Sequence, residues 1–355
     1  MFFYPTPLMH SLTKHFSIAN TLRPYFSLFD PRSFRSFRAV LEVLLCYHHG
    51  KQPEFAAKAK KSLSALQYFF RYATWSSDAV NRVRLGVIRN RRQTTDSAED
   101  ILILDGSPVA KDKNCKSEGI SRFWDNRKKT VVTGYELLGA AILSKSGITY
   151  PLRLMLFVPD KWLSEWHAWK KLLRWCFKQS KSWLVVIDRG FRNGHFLACI
   201  LRHKREFLVR VTIAMPVWVE RTQEKKRGRK KRFSNREKKS VKAYCTDDAA
   251  LQTGKGKLWL LPNVIIDAWK NETERRCSVI VHHQNGFRDP LVIAFSRKNI
   301  SIEEALEYVG IYHKRWKIET CFLELKTSFH LEGFKLTSVE AIEKWFCVCL
   351  VAHGI

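Results

Sequence analysis

The stretch "YHKRWKIETCFLELK" holds four polar residues whose types and spacing could do chemistry: Tyr312, Arg315, Glu319 and Lys326. If residues 312–326 are helical, about 100° per residue puts all four within a sector of roughly 60°. Ile311, Ile318, Phe322 and Leu325 form the neighbouring apolar stripe, a normal core face, while Lys314, Lys317 and Glu324 point away from both. Arg315 can grip a phosphate with two parallel N–H donors, which a lysine cannot copy. Tyr312 offers a phenol to a phosphate oxygen or a ring face to a base. Lys326, about two turns beyond Glu319, can serve as a point charge. Glu319 lies in line with these three, and Glu324 does not.

Two aspartates extend the set. "ILILD" and "LVVID" are short unbroken apolar runs of the kind that form buried central strands, and each ends in an acid, Asp105 and Asp188. A cap or turn role is the plainer reading for either one alone, and much less so for the pair. Together with Glu319 they supply three carboxylates without any cysteine or histidine. Hard divalent cations prefer such oxygen ligands. Two Mg²⁺ ions about 4 Å apart, or Mn²⁺ in their place, would activate a water and stabilise the leaving oxygen of a DNA phosphodiester. Arg189 and Arg192 follow Asp188 and would add positive field where a scissile strand enters; a plain surface pair is the competing reading.

The elements that must position these residues follow from the hydrophobic pattern. Before residue 99 the chain reads as helical: "SFRSFRAVLEVLLCYHHG" stopping at Gly50, then "SLSALQYFFRYATW", then "SSDAVNRVRLGVIRNRR" capped by Ser76 or Ser77. Three short basic helices suit a DNA-binding bundle, with a solvated helical lid as the alternative. "ILILD" then opens a strand, and residues 111–129 read as a polar loop. "TVVTGYELLGAAIL" and "TYPLRLMLFV" read as strands joined by "SKSG", followed by the helix "KWLSEWHAWKKLLRWCFKQ". "SWLVVID", a helix, and the strand "EFLVRVTI" complete the series. Three strands, a helix, a fourth strand, then helix and strand resembles the order of a ribonuclease H-like core. In such α/β sheets active groups gather at one strand edge.

A basic low-complexity segment, "EKKRGRKKRFSNREKKSVK", reads as a mobile surface loop opening a β-rich insertion with strands at "KLWLLPNVII", "CSVIVHH" and "PLVIAFS". The insertion carries Trp259 and Trp269, for which core packing outweighs stacking on an extruded base. Ser301 and Glu304 make a capping-box pattern at the start of the motif helix, and "SVEAIEKWFCVCLVA" is a last apolar helix. The expected organisation is a helical, DNA-binding domain at 1–98, the first part of the core at 99–212, the basic loop and β-rich insertion at 213–300, and helices completing the core at 301–355. The expected class is therefore α/β: a ribonuclease H-like mixed sheet flanked by helices.

The bulk composition narrows the partners. The formal net charge of +29 on 355 residues far exceeds what solubility needs. Phosphate neutralisation is the natural reason for it, so DNA is favoured over an anionic membrane surface. Nine cysteines without a CxxC pair argue against a zinc ribbon or a disulfide framework, and imply buried reduced thiols. No run of 18 apolar residues suggests a membrane span, and the start lacks the pattern of a signal peptide, so a cytoplasmic, nucleoid-associated protein is expected.

The spacing Tyr312, two residues, Arg315, three residues, Glu319, six residues, Lys326 resembles the Y-R-E-K motif of the IS4-type DDE transposases, with four residue types at fixed separations. "LILDGSP" and "VVIDRGFRN" resemble the two aspartate blocks of that family, with Ser107 where its members often carry threonine. The resemblance covers roughly 100–350, including a β-rich insertion before the glutamate. It implies a metal-dependent endonuclease and strand transferase acting on the ends of a mobile element and on a target, as a homodimer on DNA. It further implies that Asp105, Asp188 and Glu319 bind two Mg²⁺, and that Tyr312, Arg315 and Lys326 hold terminal phosphates and a flipped base. The alternatives are a hydrolytic nuclease without strand transfer, and an inactive or truncated DNA-binding derivative.

Overall fold

The computed structural model describes residues 18–46, 52–112, 115–125, 129–220, 236–269, 275–333 and 335–355. In chain order its helices are α1 (Ile18–Leu22), α2 (Pro31–Cys46), α3 (Gln52–Lys58), α4 (Leu63–Arg71), α5 (Ser77–Arg89), α6 (Glu165–Gln179), α7 (Gly194–Arg202), α8 (Ile302–His313), α9 (Lys317–Thr327) and α10 (Val339–Gly354). The strands are β1 (Ile101–Ala110), β2 (Ser121–Asp125), β3 (Thr130–Leu143), β4 (Thr149–Phe157), β5 (Leu184–Ile187), β6 (Glu206–Arg210), β7 (Pro216–Glu220), β8 (Arg236–Ser240), β9 (Leu251–Thr253), β10 (Gly256–Ile266), β11 (Cys277–Gln284) and β12 (Leu291–Phe295). The chain divides into two compact units. One holds the described residues up to Asn90 with Lys116–Glu118 and Glu324–Ile355, the other Arg91–Cys115 with Gly119–Leu323.

In the helical unit, α4 and α5 start where side-chain caps are available: Ser62 Oγ accepts from the Ala65 amide and Ser76 Oγ from the Ala79 amide. Phe29, Phe37, Phe69 and Trp75 stack into an aromatic core, with Phe69 and Trp75 centroids 5.1 Å apart. The last helix, α10, belongs to this unit, whereas the sequence pattern placed it with the catalytic core. The reason is its apolarity on every side: twelve of its residues are buried, including Trp345, Phe346 and the run Cys347–Ala352. A sheet face covers one side of a helix; a bundle covers all of them. Lys344, buried within it, is satisfied by the Ala73 carbonyl at 2.8 Å and by Glu340 at 2.9 Å.

The sheet unit is built on the expected mixed sheet. β3 lies antiparallel to β1, with β2 and β4 on its other edge, and β1, β5 and β6 run parallel. The order β4-β3-β1-β5-β6 with α6 and α7 in the connections is the ribonuclease H-like arrangement. β5 is buried along its whole length, as a parallel strand covered on both faces must be. Four details depart from the sequence reading. β1 continues past Asp105 to Ala110 because β3 keeps pairing with it as far as Gly134. The polar loop 111–129 contains a strand, β2. The insertion does not interrupt the sheet but extends it: β12 pairs with β6, and β11, β10, β7 and β8 follow in order. Part of the basic segment forms β8, pairing Glu237 with Val219, while residues 221–235 lie outside the described residues. Among the described residues no helix is long and apolar enough to cross a membrane.

Candidate active site

The starting point is strand register. Ser182, just before β5, accepts the Leu102 amide at 3.0 Å and reaches the Asp100 carbonyl at 2.7 Å, tying the entrances of β1 and β5 together. Asp100 is itself fixed, its carboxylate accepting the Ser97 and Lys145 amides at 3.0 and 2.9 Å. From there the parallel pairing runs to Leu104 opposite Ile187, and β5 pairs with β6 up to Ile187 opposite Val209. The residues one step further along the three strands are Asp105, Asp188 and Arg210. Successive residues alternate between sheet faces, so all three point to one face. Asp105 also pairs with Gly139 across β3, and the missing side chain there leaves room for the Phe322 ring of α9. A Cβ at Gly139 would overlap that ring, so helix and strand approach this closely only because the residue is glycine.

The cap reading of the aspartates fails on geometry. Asp188 precedes a short 3₁₀ turn, yet its side chain makes no capping bond there. Instead the Tyr312 hydroxyl donates to Asp188 Oδ1 at 3.2 Å. Asp105 Oδ1 accepts the Gly106 amide at 2.9 Å, and Asp105 Oδ2 accepts from Arg315 Nη1 at 3.1 Å. The other arm of the guanidinium, Nη2, donates to Glu319 Oε1 at 2.7 Å. Arg315 therefore clasps two of the three carboxylates and Tyr312 the third.

The helix that delivers them starts as the pattern demanded. Ser301 Oγ accepts the Glu304 amide while the Glu304 carboxylate takes the Ser301 amide, a complete capping box. It is not continuous. α8 ends at His313, Lys314–Trp316 form a 3₁₀ turn, and α9 begins at Lys317. The tighter turn changes the phase between Tyr312 and Glu319 from that of an uninterrupted helix. Lys326 belongs to the helical unit, where its ammonium pairs with Glu332 at 2.6 Å. Arg189 and Arg192 are exposed immediately after Asp188.

The electrostatics follow from burial. Asp105 is pushed up to about 6, first by desolvation and further by the charges of Glu319 and Asp188, with Arg315 pulling the other way. Burial works to lower the Arg315 guanidinium, but Asp105, Tyr312, Asp188 and the Glu319 bond outweigh it and raise it instead. Burial and the Asp188 charge together raise the Tyr312 phenol, so it stays a donor at neutral pH. Arg210 opposes that rise. Sequence reasoning passed over Arg210, though the aligned ends of the apolar runs "LVVI" and "FLV" put it in the row next to Asp188.

The donor set suits a hard divalent cation: oxygens only, with Glu319 and Asp188 near enough to Asp105 for their charges to raise its proton affinity. As the side chains stand, no three His, Cys, Asp or Glu among the described residues are grouped to hold an ion, and Arg315 bridges Asp105 and Glu319. An ion held jointly by those two acids would meet the positive charge of the guanidinium on the same two carboxylates. Trp259 and Trp269 of the insertion are both buried, Trp259 donating to the Thr246 carbonyl at 2.7 Å, so packing is their role. The exposed aromatic residues of this unit include Phe287, in the turn between β11 and β12, and Trp316, next to Arg315.

Residues 96–355 match the family model described as the transposase DDE domain. No curated protein matches the chain.

Proposed function

Because this chain belongs to the transposase DDE domain family, we propose that it cuts the ends of its own mobile element and joins them to a target, in the manner of the IS4-type enzymes with a Y-R-E-K motif. The observation that carries the reading is the convergence of Asp105, Asp188 and Glu319 with Arg315 and Tyr312 at one face of the sheet. Asp105, Asp188 and Glu319 would hold the divalent ions, Mg²⁺ or Mn²⁺, two in number. When bound, such ions supply an activated water or 3′-hydroxyl and neutralise charge on the leaving oxygen of an in-line displacement.

The protein's own part is positioning. Arg315 presents a planar pair of donors, matched to two oxygens of a phosphate. Tyr312, kept protonated by burial, can donate to a phosphate oxygen or turn its ring to a base. Arg210 beside Asp188, with Arg189 and Arg192 exposed after it, gives the approaching strand a positive approach to the acids. Lys326 would contribute a further contact to the terminal phosphates. The helical residues up to 98, basic and rich in exposed arginine, would bind the element ends. Joining two ends calls for a homodimer on the DNA.

The test is incubation of the protein with DNA that flanks its own coding region, with Mg²⁺ and then with EDTA, followed by pre-cleaved ends offered a target. Metal-dependent cutting at the element boundary and joining of pre-cleaved ends are expected. Cutting without joining would reduce the protein to a hydrolytic nuclease, and binding without cutting to a DNA-binding derivative.

A further inference from the structure

We propose that Arg315 is an internal counter-cation whose release couples metal capture to DNA phosphate capture. The inference rests on the reading of Asp105, Asp188 and Glu319 as the metal-holding acids.

Arg315 bonds to Asp105 Oδ2 at 3.1 Å and to Glu319 Oε1 at 2.7 Å through different nitrogens of one guanidinium. Its side chain is only 14% exposed and that of Asp105 only 19%, so these charges are poorly screened by water. A divalent ion binding to Asp105 and Glu319 together would draw on the same two carboxylates on which the guanidinium is seated, and positive charges held that close repel each other. The two cations are therefore competitors.

Arg315 cannot simply lose its charge to make way, because a guanidinium does not deprotonate in a protein. It has to turn away, and a buried guanidinium that leaves one anion needs another. The non-bridging oxygens of a DNA phosphate provide a partner of the same bidentate geometry. A phosphate drawn in by Arg315 therefore frees Asp105 and Glu319 for the metal. The metal, once seated, in turn leaves Arg315 free for a phosphate. By linkage each ligand must then raise the affinity for the other by the same factor.

Tyr312 behaves differently within the same group. It is a neutral donor to Asp188 at 3.2 Å, so removing its hydroxyl takes away no competing charge. The functional consequence is order: without DNA, Arg315 holds the acids and keeps the ions loosely bound; with DNA, the acids assemble around them.

The experiment is a titration of the full chain with Mn²⁺, counting free ion by its electron paramagnetic resonance signal, with and without a short DNA duplex. Asp188→Asn/Glu319→Gln serves as the variant that identifies ions bound at these acids. For the unaltered protein, Mn²⁺ binding about tenfold tighter with the duplex present is expected. For Arg315→Ala, binding without DNA should tighten by about tenfold, and the duplex should add little. Tyr312→Phe should retain the coupling. Arg315→Lys, which keeps a charge within reach of the acids, should fall between, and guards against an Arg315→Ala chain that fails to fold. Equal Mn²⁺ affinity in the unaltered and both Arg315 variants, or weaker binding when Arg315 is lost, would overturn the coupling while leaving the metal site intact. No Mn²⁺ bound by any variant, with or without DNA, would overturn the metal reading itself.

Discussion

Asp105 and Asp188 are neighbours because Leu104 and Ile187 are partners in the parallel pairing of β1 and β5. Each acid is the next residue after a matched pair, and neither position is adjustable without sliding one buried strand past another. A slip of one residue would turn one carboxylate to the opposite face of the sheet. The close approach is also why Asp188 contributes to raising Asp105.

The proposed roles of the three acids predict a shared outcome. Asp105→Asn, Asp188→Asn and Glu319→Gln should each cost several kcal/mol of transition-state stabilisation, roughly 10³-fold in metal-dependent cleavage. DNA affinity, measured by filter binding, should change by only a few-fold. Cleavage by any of the three within tenfold of the unaltered protein would remove that residue from the set.

Ser182 should matter to stability out of proportion to its size. Its buried hydroxyl joins the Leu102 amide to the Asp100 carbonyl, and alanine leaves both without that partner. We expect Ser182→Ala to lose about 1–3 kcal/mol, seen as a lower urea midpoint with an unchanged slope. An unshifted midpoint would mean that burial of the flanking apolar strands alone holds the register.

Gly139→Ala should damage activity through the helix, because the added methyl overlaps the Phe322 ring. A stability loss of about 1–3 kcal/mol is expected from overpacking, with cleavage reduced as Glu319 shifts along with α9. A smaller partner, Phe322→Leu, should restore much of the cleavage when combined with it. Additive damage in the double variant would count against direct contact as the cause.

On the other face of the sheet, Glu136 is pushed up to about 7, mainly by burial and then by Glu165. Its folded-state value lies above that of the unfolded chain, so folding retains a proton that the unfolded chain releases. Stability should therefore fall as pH rises from about 4.5 to 7 and stay level above that, the total being about 2–3 kcal/mol. Glu136→Gln should flatten this part of the pH profile and be the more stable protein at pH 8. Parallel profiles for the two proteins would show that Glu136 ionises freely in the fold.

Much of the architecture is readable from local pattern. The runs around "ILIL" and "LVVI" are of the kind that form strands covered on both faces, and the Ser301–Glu304 box marks a helix start. The residue types at 105, 188, 312, 315 and 319 are the basis on which an oxygen-donor site with phosphate-matching neighbours is proposed. Other features were hidden because they depend on partners distant in sequence. The strand within 111–129 exists because β3 offers an edge to pair with. The insertion joins the main sheet because β6 presents an unpaired edge to β12. Arg210 gains its place only through the register of β6 against β5.

The sequence by itself determined which chemical groups are available and which segments must be buried, since apolar periodicity and side-chain type are local properties. Only the tertiary structure decided how those groups meet. Arg315 and Asp105 are 210 residues apart, and Tyr312 and Asp188 are 124 apart. Spacing within one helix could align the motif residues with one another. Which acid each would hold was settled by sheet register and by the 3₁₀ turn at Lys314–Trp316, whose tighter winding changes the phase between Tyr312 and Glu319.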